Sequence, residues 1–446
     1  MESPAPRSGP MLDASSAFLL VVTIFVFFLP LLIYFPPVPP SQRDALLETH
    51  APIGRHGPRH EARDGRSVKG PPTVRSLCIY PIKSCKGIEV RQSKVLPAGL
   101  EFDRIYTFAQ LKSPFPVGVH TPDDDSTRAH KWEFITQRQF PLLATLQVDL
   151  FVPDTIKARG RPSGPPVSDS DAFLLVSFPW QEPGLRGVLR WAGAKITRWS
   201  WRAQPEKEML LPVAFPSDGE IETRGYAREP VAIWKETATA LNMARELPPE
   251  LQLYLGVSNR LAIFRIDPAR LRRVYRCAPT MDEAGYQPVT GFQDAYPLHL
   301  LNLTSVRDLD AKIDKDEALR VLDPRRFRAN IIVDGGETPY EEESWKKIRV
   351  VPGPASTRQG SEFHVSCRTV RCKMPNVDPD NGYRHPREPD KSLREFRDVD
   401  EGAKRMGCLG MQLTPLFDEP EKLESWIEVG ETIEVLERGN HVYIKQ

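Results

Sequence analysis

The stretch Cys367-Arg368-Thr369-Val370-Arg371-Cys372, followed by Val377-Asp378-Pro379-Asp380-Asn381-Gly382, sets the frame for the whole chain. Asp-Pro-Asp-Asn-Gly is strong turn chemistry, because Pro fixes φ and Asn and Gly tolerate left-handed backbone. Phe363 to Ser366 just ahead reads as a strand, so Cys372 stands between a strand and a tight turn. Arg371 and Lys373 flank it. Cations lower a thiol's pKa, and the thiolate is both a nucleophile and a soft metal ligand. A cysteine is equally a small buried hydrophobe, and these residues alone leave both readings open. His364 and His385 would be the candidate bases of a cysteine hydrolase.

Two upstream clusters have the same character. Tyr80-Pro81-Ile82-Lys83-Ser84-Cys85-Lys86-Gly87 directly follows a strand read over Val74 to Tyr80. A turn of this kind points a cation and a hydroxyl at an anion, or is simply a solvated surface turn. Asp323-Pro324-Arg325-Arg326-Phe327-Arg328-Ala329-Asn330 runs into the apolar Ile331-Ile332-Val333. Three arginines beside a buried strand offer planar donors to an anion. The plainer alternative is a basic turn with Phe327 in the core.

Further short β-branched or aromatic runs read as strands: 105–111, 142–148, 173–178, 196–201, 261–266, 330–333, 348–351, 432–436 and 442–444. Residues 230–244 read as a helix, since Pro230 suits a first turn and Val231, Trp234, Ala238 and Leu241 share one helical face. Ser305-Val306-Arg307-Asp308 resembles a capping box. Residues 112–130 and 153–171, rich in Pro, Asp, Ser and Gly, read as loop insertions. The sum is a β-rich α+β body.

Lys and Arg number 60 against 59 Asp and Glu, a net charge of +1, which argues against a nucleic-acid partner. Six cysteines in 446 residues, none in a C-x-x-C pair, are too sparse for a disulfide scaffold or a zinc ribbon. No phosphate-binding loop, dinucleotide fingerprint, H-E-x-x-H or G-x-S-x-G occurs. Residues 17–35 form an almost unbroken apolar run without charge, long enough for a single membrane-spanning helix kinked at Pro30. Basic residues cluster after the run, which places the body on the cytosolic side. Residues 36–72 are proline-rich and lack aromatics, and read as a flexible leash.

Taken in order, these clusters resemble the MOSC family, the domain shared by molybdenum cofactor sulfurases and the mitochondrial amidoxime-reducing component. Y-P-I-K-S-C-K-G at 80–87, G-L at 99–100 with D-R at 103–104, and T-Q-R-Q at 136–139 resemble its N-terminal domain. R-F-R-A-N at 326–330 and R-C-K-M-P-N-V-D-P-D-N-G at 371–382 resemble its cofactor-binding half. Val370 stands where the family carries a small hydroxyl residue, and Ala329 where it carries Pro.

The resemblance implies a MOSC β-barrel over 290–446, an N-terminal MOSC-type β-rich domain over 73–205 and a connecting region over 206–289. It implies a molybdenum–pterin cofactor with Cys372 as the catalytic metal ligand. Lys83, Ser84, Arg104, Thr304, Ser305, Arg328, Asn330 and Arg371 would bind the pterin and its phosphate. The implied activity is reduction of amidoximes and N-hydroxylamines, with electrons from cytochrome b5 and NADH-cytochrome b5 reductase. The expected location is the mitochondrial outer membrane, with the endoplasmic reticulum as alternative. A non-catalytic cofactor carrier is the rival reading, and a hydrolase using Cys372 the third. Residues 1–72, read as tail, anchor and leash, leave no room for the aminotransferase-like domain of a complete sulfurase.

Overall fold

The strand Thr73–Ile79 buries Val74, Leu77 and Ile79, and its partners decide the architecture. It pairs antiparallel with Ile88–Val90 on one side and with Ile331–Asp334 on the other. The computed structural model describes residues 13–34, 41–54, 70–113, 130–154, 156–157, 172–197, 204–354, 356–419 and 421–444. Eight strands form one sheet in the order 331–334, 298–302, 408–416, 361–370, 345–351, 432–438, 73–79, 88–90, and the pairing of 331–334 with 73–79 closes it. The first strand of the expected N-terminal domain thus completes the barrel of the C-terminal half.

A second closed barrel runs 227–233, 236–242, 261–266, 106–112, 131–134. Its core is Trp132, Phe134, Val231, Ile233, Phe264 and Phe292 with small alanines between them. Leu261–Ile266 is buried at every position, as a strand covered on both faces must be. The segment read as a connector, 206–289, therefore supplies three of this barrel's five strands. A further sheet has the order 50–53, 147–153, 173–179, 206–212.

Several expectations are corrected. The helix read over 230–244 is a hairpin, Ala227–Ile233 against Glu236–Asn242, turning at Trp234 and Lys235. Val231 and Ile233, then Ala238 and Ala240, are buried with period two; the same apolar residues also fit a helical face, and the barrel decides between them. The strand read over 142–148 begins as a 3-10 turn, Pro141–Thr145, and the strand proper is Gln147–Pro153. Of 196–201, Ile196 and Thr197 end the helix Gly184–Thr197, and 198–201 lie outside the described residues. No strand forms at 442–444. The helix Leu303–Asp310 is capped by Asn302, whose side chain accepts from Thr304 N, so Ser305 lies inside it rather than opening it.

The leash is shorter than expected. Gln42–Leu47 is helical and His50–Ile53 pairs with Gln147–Pro153. Leu46 packs with Phe151 and Leu175, an anchorage that the proline content concealed. Residues 55–69, and most of the insertions at 112–130 and 153–171, lie outside the described residues.

By contact the chain divides into two units, one of Met1–Ala45 and Pro179–Lys207, the other of Leu46–Phe178 and Glu208–Gln446. The first holds the helix Ala14–Tyr34, formed where the apolar run predicts a helix, with its large side chains from Phe18 to Phe28 exposed. The side chains of 29–34 lie outside the described residues, and among the described residues no helix is long and apolar enough to cross a membrane. Both barrels belong to the second unit.

Candidate functional site

A cleft of about 170 Å³ opens in the second unit, against roughly 10–15 Å³ for one water. Lys83, Ser84, Arg104, Arg328, Asn330, Arg371 and Cys372 all line it. Four strand ends bring them together. The turn after Thr73–Ile79 carries Lys83 and Ser84, and Asp103-Arg104 precedes the strand Tyr106–Lys112. Arg328 and Asn330 precede Ile331–Asp334, and Arg371 and Cys372 follow Ser361–Val370.

Three of these residues hold left-handed backbone: Ser84 at φ 66°, Arg104 at φ 51° and Arg328 at φ 54°. Non-glycine residues persist there only where surrounding contacts over-determine them. Those contacts are visible. Tyr80 lies under both guanidiniums, with Arg328 at 4.2 Å and Arg104 at 4.8 Å from its ring centre. Arg104 pairs with Asp103 and donates to Asn330 Oδ1 (3.1 Å) and Arg328 O (3.1 Å). Asn330 Nδ2 donates to Cys78 O (3.1 Å), which ties the second cluster to the first strand.

Lys83 Nζ donates to Phe292 O (2.7 Å) and Asp294 Oδ1 (2.6 Å). Burial draws its pKa down to about 8 despite that carboxylate. The Asp294 side chain is half exposed, and the Lys83 ammonium and a hydrogen bond from Trp234 Nε1 (3.0 Å) hold it below the usual carboxylate range. Among the described residues, Asp294 is the one carboxylate on a wall that also carries Lys83, Arg104, Arg138, Arg328, Arg368 and Arg371. The surplus of cations suits a polar anion.

Arg371 differs from the other arginines. Its Nε donates to Leu409 O (2.9 Å), Nη1 to Phe327 O (3.2 Å) and Nη2 to His299 Nε2. All three nitrogens are engaged with the protein, so Arg371 braces the wall. His299 is buried, and burial with Arg371 and Arg104 beside it holds its pKa well below the ordinary value. It is a neutral acceptor for Arg371.

Of the three arginines in 325–328, one faces the cleft. Arg325 forks onto Asp323 and Asp380, and Arg326 onto Pro375 O, Asn376 O and Asp378. These two clamp the turn that follows Cys372. Arg328 Nη1 donates to Cys85 O (2.6 Å), while among the described residues its buried Nη2 has no partner. The buried hydroxyls of Thr136 and Thr369, also on the cleft wall, have none either. Unpartnered buried donors are costly, and here they line the space that a polar ligand would fill.

Cys372 is the one cysteine on this wall among the described residues. Burial pushes its thiol up; the Met374 backbone N–H, Arg138 and Arg371 oppose this without prevailing, and Asp294 adds to the rise. The thiolate expected from flanking cations alone is thus not favoured by the protein, and a bound cation would have to supply the drive. No cluster of three or more His, Cys, Asp or Glu able to hold a metal occurs among the described residues. One sulfur in a cationic cleft suits a metal that arrives with other ligands attached.

Thr304 and Ser305 do not line the cleft. Thr304 Oγ1 donates to Gly335 O (3.2 Å), and Ser305 Oγ donates to Glu342 Oε1 (2.7 Å). Their place is a buried polar knot around Glu342, whose pKa burial raises to about 7. A carboxyl raised on folding contributes stability that is full below about pH 4.5 and is lost as pH rises through about 7. Glu342→Gln should therefore gain on the wild type as pH rises from 5 to 8, by on the order of 3 kcal/mol, in paired urea titrations.

Arg138, Trp234, Asp294, His299 and Thr369 reach the cleft without having been assigned roles from sequence. Arg138 and Thr136 lie in the quoted T-Q-R-Q segment, which was the available signal for them. Arg138 stacks 4.9 Å from the Trp234 ring centre. The candidate hydrolase bases are elsewhere: His364 bonds Ser366 and His385 bonds Asp316.

Residues 287–434 match the MOSC domain model and residues 71–165 the MOSC N-terminal beta barrel domain model. The chain is 23% identical over 362 residues to mitochondrial amidoxime reducing component 2 of Rattus norvegicus, covering 80% of this chain and 81% of that protein. It is 21% identical over 369 residues to mitochondrial amidoxime-reducing component 1 of Homo sapiens, covering 82% and 83%. It is 31% identical over 140 residues to molybdenum cofactor sulfurase of Arabidopsis thaliana, covering 30% of this chain and 15% of that protein. Most of the cleft-lining residues fall in these two segments, while the strands 227–233, 236–242 and 261–266 lie between them, and the chain belongs to the MOSC-domain family.

Proposed function

We propose that the protein is a molybdenum-cofactor-dependent reductase of N-hydroxylated compounds, such as amidoximes and N-hydroxylamines. The observation that carries this reading is one thiol, Cys372, on a cleft whose buried Arg328 Nη2 and Thr369 Oγ1 have no partner among the described residues. Cys372 would be the protein's ligand to the metal. Lys83, Ser84, Arg104, Arg328 and Asn330 would hold the anionic pterin. Arg371 braces the wall beside Arg328 through Phe327 O and Leu409 O. When bound, the cofactor supplies two-electron chemistry that accepts oxygen from an N–O bond. Lys83, with its pKa near 8, holds a proton at Nζ on the cleft wall.

Relatives named amidoxime-reducing component support the substrate class. Electrons would come from cytochrome b5 and its NADH-dependent reductase, since the sequence carries no nucleotide-binding motif. The exposed apolar side chains from Phe18 to Phe28 support attachment of residues 17–35 to a membrane, and the relatives' names favour the mitochondrial outer membrane, with the body in the cytosol. The hydrolase reading lacks a free histidine on the cleft among the described residues: His299 is there, but its Nε2 is occupied by Arg371.

The test is NADH-coupled reduction of a model amidoxime by the purified chain with cytochrome b5 and its reductase. Cofactor bound without turnover would identify a carrier instead. In the same preparation Arg328→Gln removes the unpartnered donor. Its pterin affinity should fall roughly ten- to a hundredfold, the worth of one hydrogen bond from a charged group. Undiminished pterin retention in that variant would take Arg328 out of the site.

A further inference from the structure

A second pair of thiols lies outside the proposed reaction. Cys367 is fully buried on the strand Ser361–Val370, and Cys277 is half-buried in the loop after Arg272–Arg273. Both pack in one cluster with Val274 and Tyr296, and Tyr443 lies against it. Cys277 Sγ donates to Val442 O (3.6 Å), and the neighbouring Cys367 thiol is the main influence that holds Cys277 below the ordinary thiol pKa. Arg276, immediately before Cys277, is held at φ 65°, so the loop's path is imposed by its packing.

We propose that Cys277 and Cys367 form an oxidation site that reacts with a peroxide and closes to a disulfide, pinning the 274–278 loop to the strand that leads into Cys372. The half-buried sulfur is the one a small oxidant can reach, and the buried one waits behind it. The Cys277 sulfur attacks a peroxide oxygen; an S–O bond forms, the O–O bond breaks and one water leaves. The Cys367 sulfur then attacks the sulfenic acid; the S–S bond forms, the S–O bond breaks and a second water carries off the Cys367 proton. Two thiols are oxidised to one disulfide and one peroxide is reduced to two waters.

Cys85, Cys372 and Cys408 are poorer targets, since burial raises each of their thiols. Burial pushes Cys85 and Cys408 up to about 12, whereas the Cys367 thiol draws Cys277 down to about 6. Tyr296 and Tyr443 also line the cleft, so the bond would stiffen one of its walls.

The full chain, purified under reductant, is exposed to stoichiometric hydrogen peroxide and digested without reduction. The expected main product is a Cys277–Cys367 cross-linked peptide that dithiothreitol removes. In Cys367→Ala the sulfenic acid on Cys277 has no resolving thiol, and its dimedone labelling should exceed the wild type's by at least about tenfold. Cys277→Ser should show neither cross-link nor label on Cys367. Oxidation of Cys372, Cys85 or Cys408 ahead of Cys277 would overturn the proposal. So would a wild type without cross-link together with an unlabelled Cys367→Ala.

Discussion

Cys372→Ala should lose turnover of a model amidoxime down to background. Changing a residue that merely supports a metal ligand typically costs 10–100-fold, so loss of the ligand itself should exceed about a hundredfold. The pterin should stay at least partly bound, because Lys83, Arg104 and Arg328 reach the cleft from other strand ends. Cys408→Ala and Cys367→Ala serve as controls; both thiols are buried, neither lines the cleft, and both variants should keep turning over. Metal content, pterin content and rate on each purified variant make the comparison. Full turnover by Cys372→Ala would remove it from the site. Loss confined to Cys367→Ala, with the fold intact, would move the ligand to that position.

Arg371→Met should cost about 2–4 kcal/mol of stability, the largest structural effect expected at the cleft. The substitution keeps most of the volume but leaves Leu409 O, Phe327 O and His299 Nε2 without their donor. Part of the loss is offset because a charge need no longer be buried; burial already lowers the Arg371 pKa to about 10. Urea midpoints of the variant and wild type measure the difference. An unchanged midpoint would mean that Arg371 is held for a ligand rather than for the wall.

The contrast between Arg371 and Arg328 shows what the sequence could and could not convey. Both sit in quoted motifs, and both were read as donors to an anion. Only the fold separates them, because the carbonyls that saturate Arg371 come from Phe327 and Leu409, far off in the chain. Arg325 and Arg326 illustrate the same point, since their partners Asp378 and Asp380 lie across the turn after Cys372. Strands such as Leu261–Ile266 were legible because a short run that is apolar except at Arg265 fits a buried strand. The hairpin at 227–242 was not, since Val231, Ala238 and Leu241 satisfy a helical period as readily as a barrel wall. Thr304 and Ser305 misled because a capping pattern and a binding loop share residue types; their partners, Gly335 O and Glu342, lie beyond the next strand. Asp294 carried no signal at all, as a lone acid among aromatic residues has no period to read.

The central claim is that the cleft between Lys83, Arg104, Arg328 and Cys372 holds a molybdenum–pterin cofactor. The most direct measurement is the molybdenum and pterin content of the full chain purified from cells that make the cofactor, beside an Arg104→Met, Arg328→Gln double variant. The account predicts molybdenum and pterin in equal, near-stoichiometric amounts on the wild type, and loss of both from the folded variant. A folded wild type that carries neither, or a double variant that retains both in full, would contradict it.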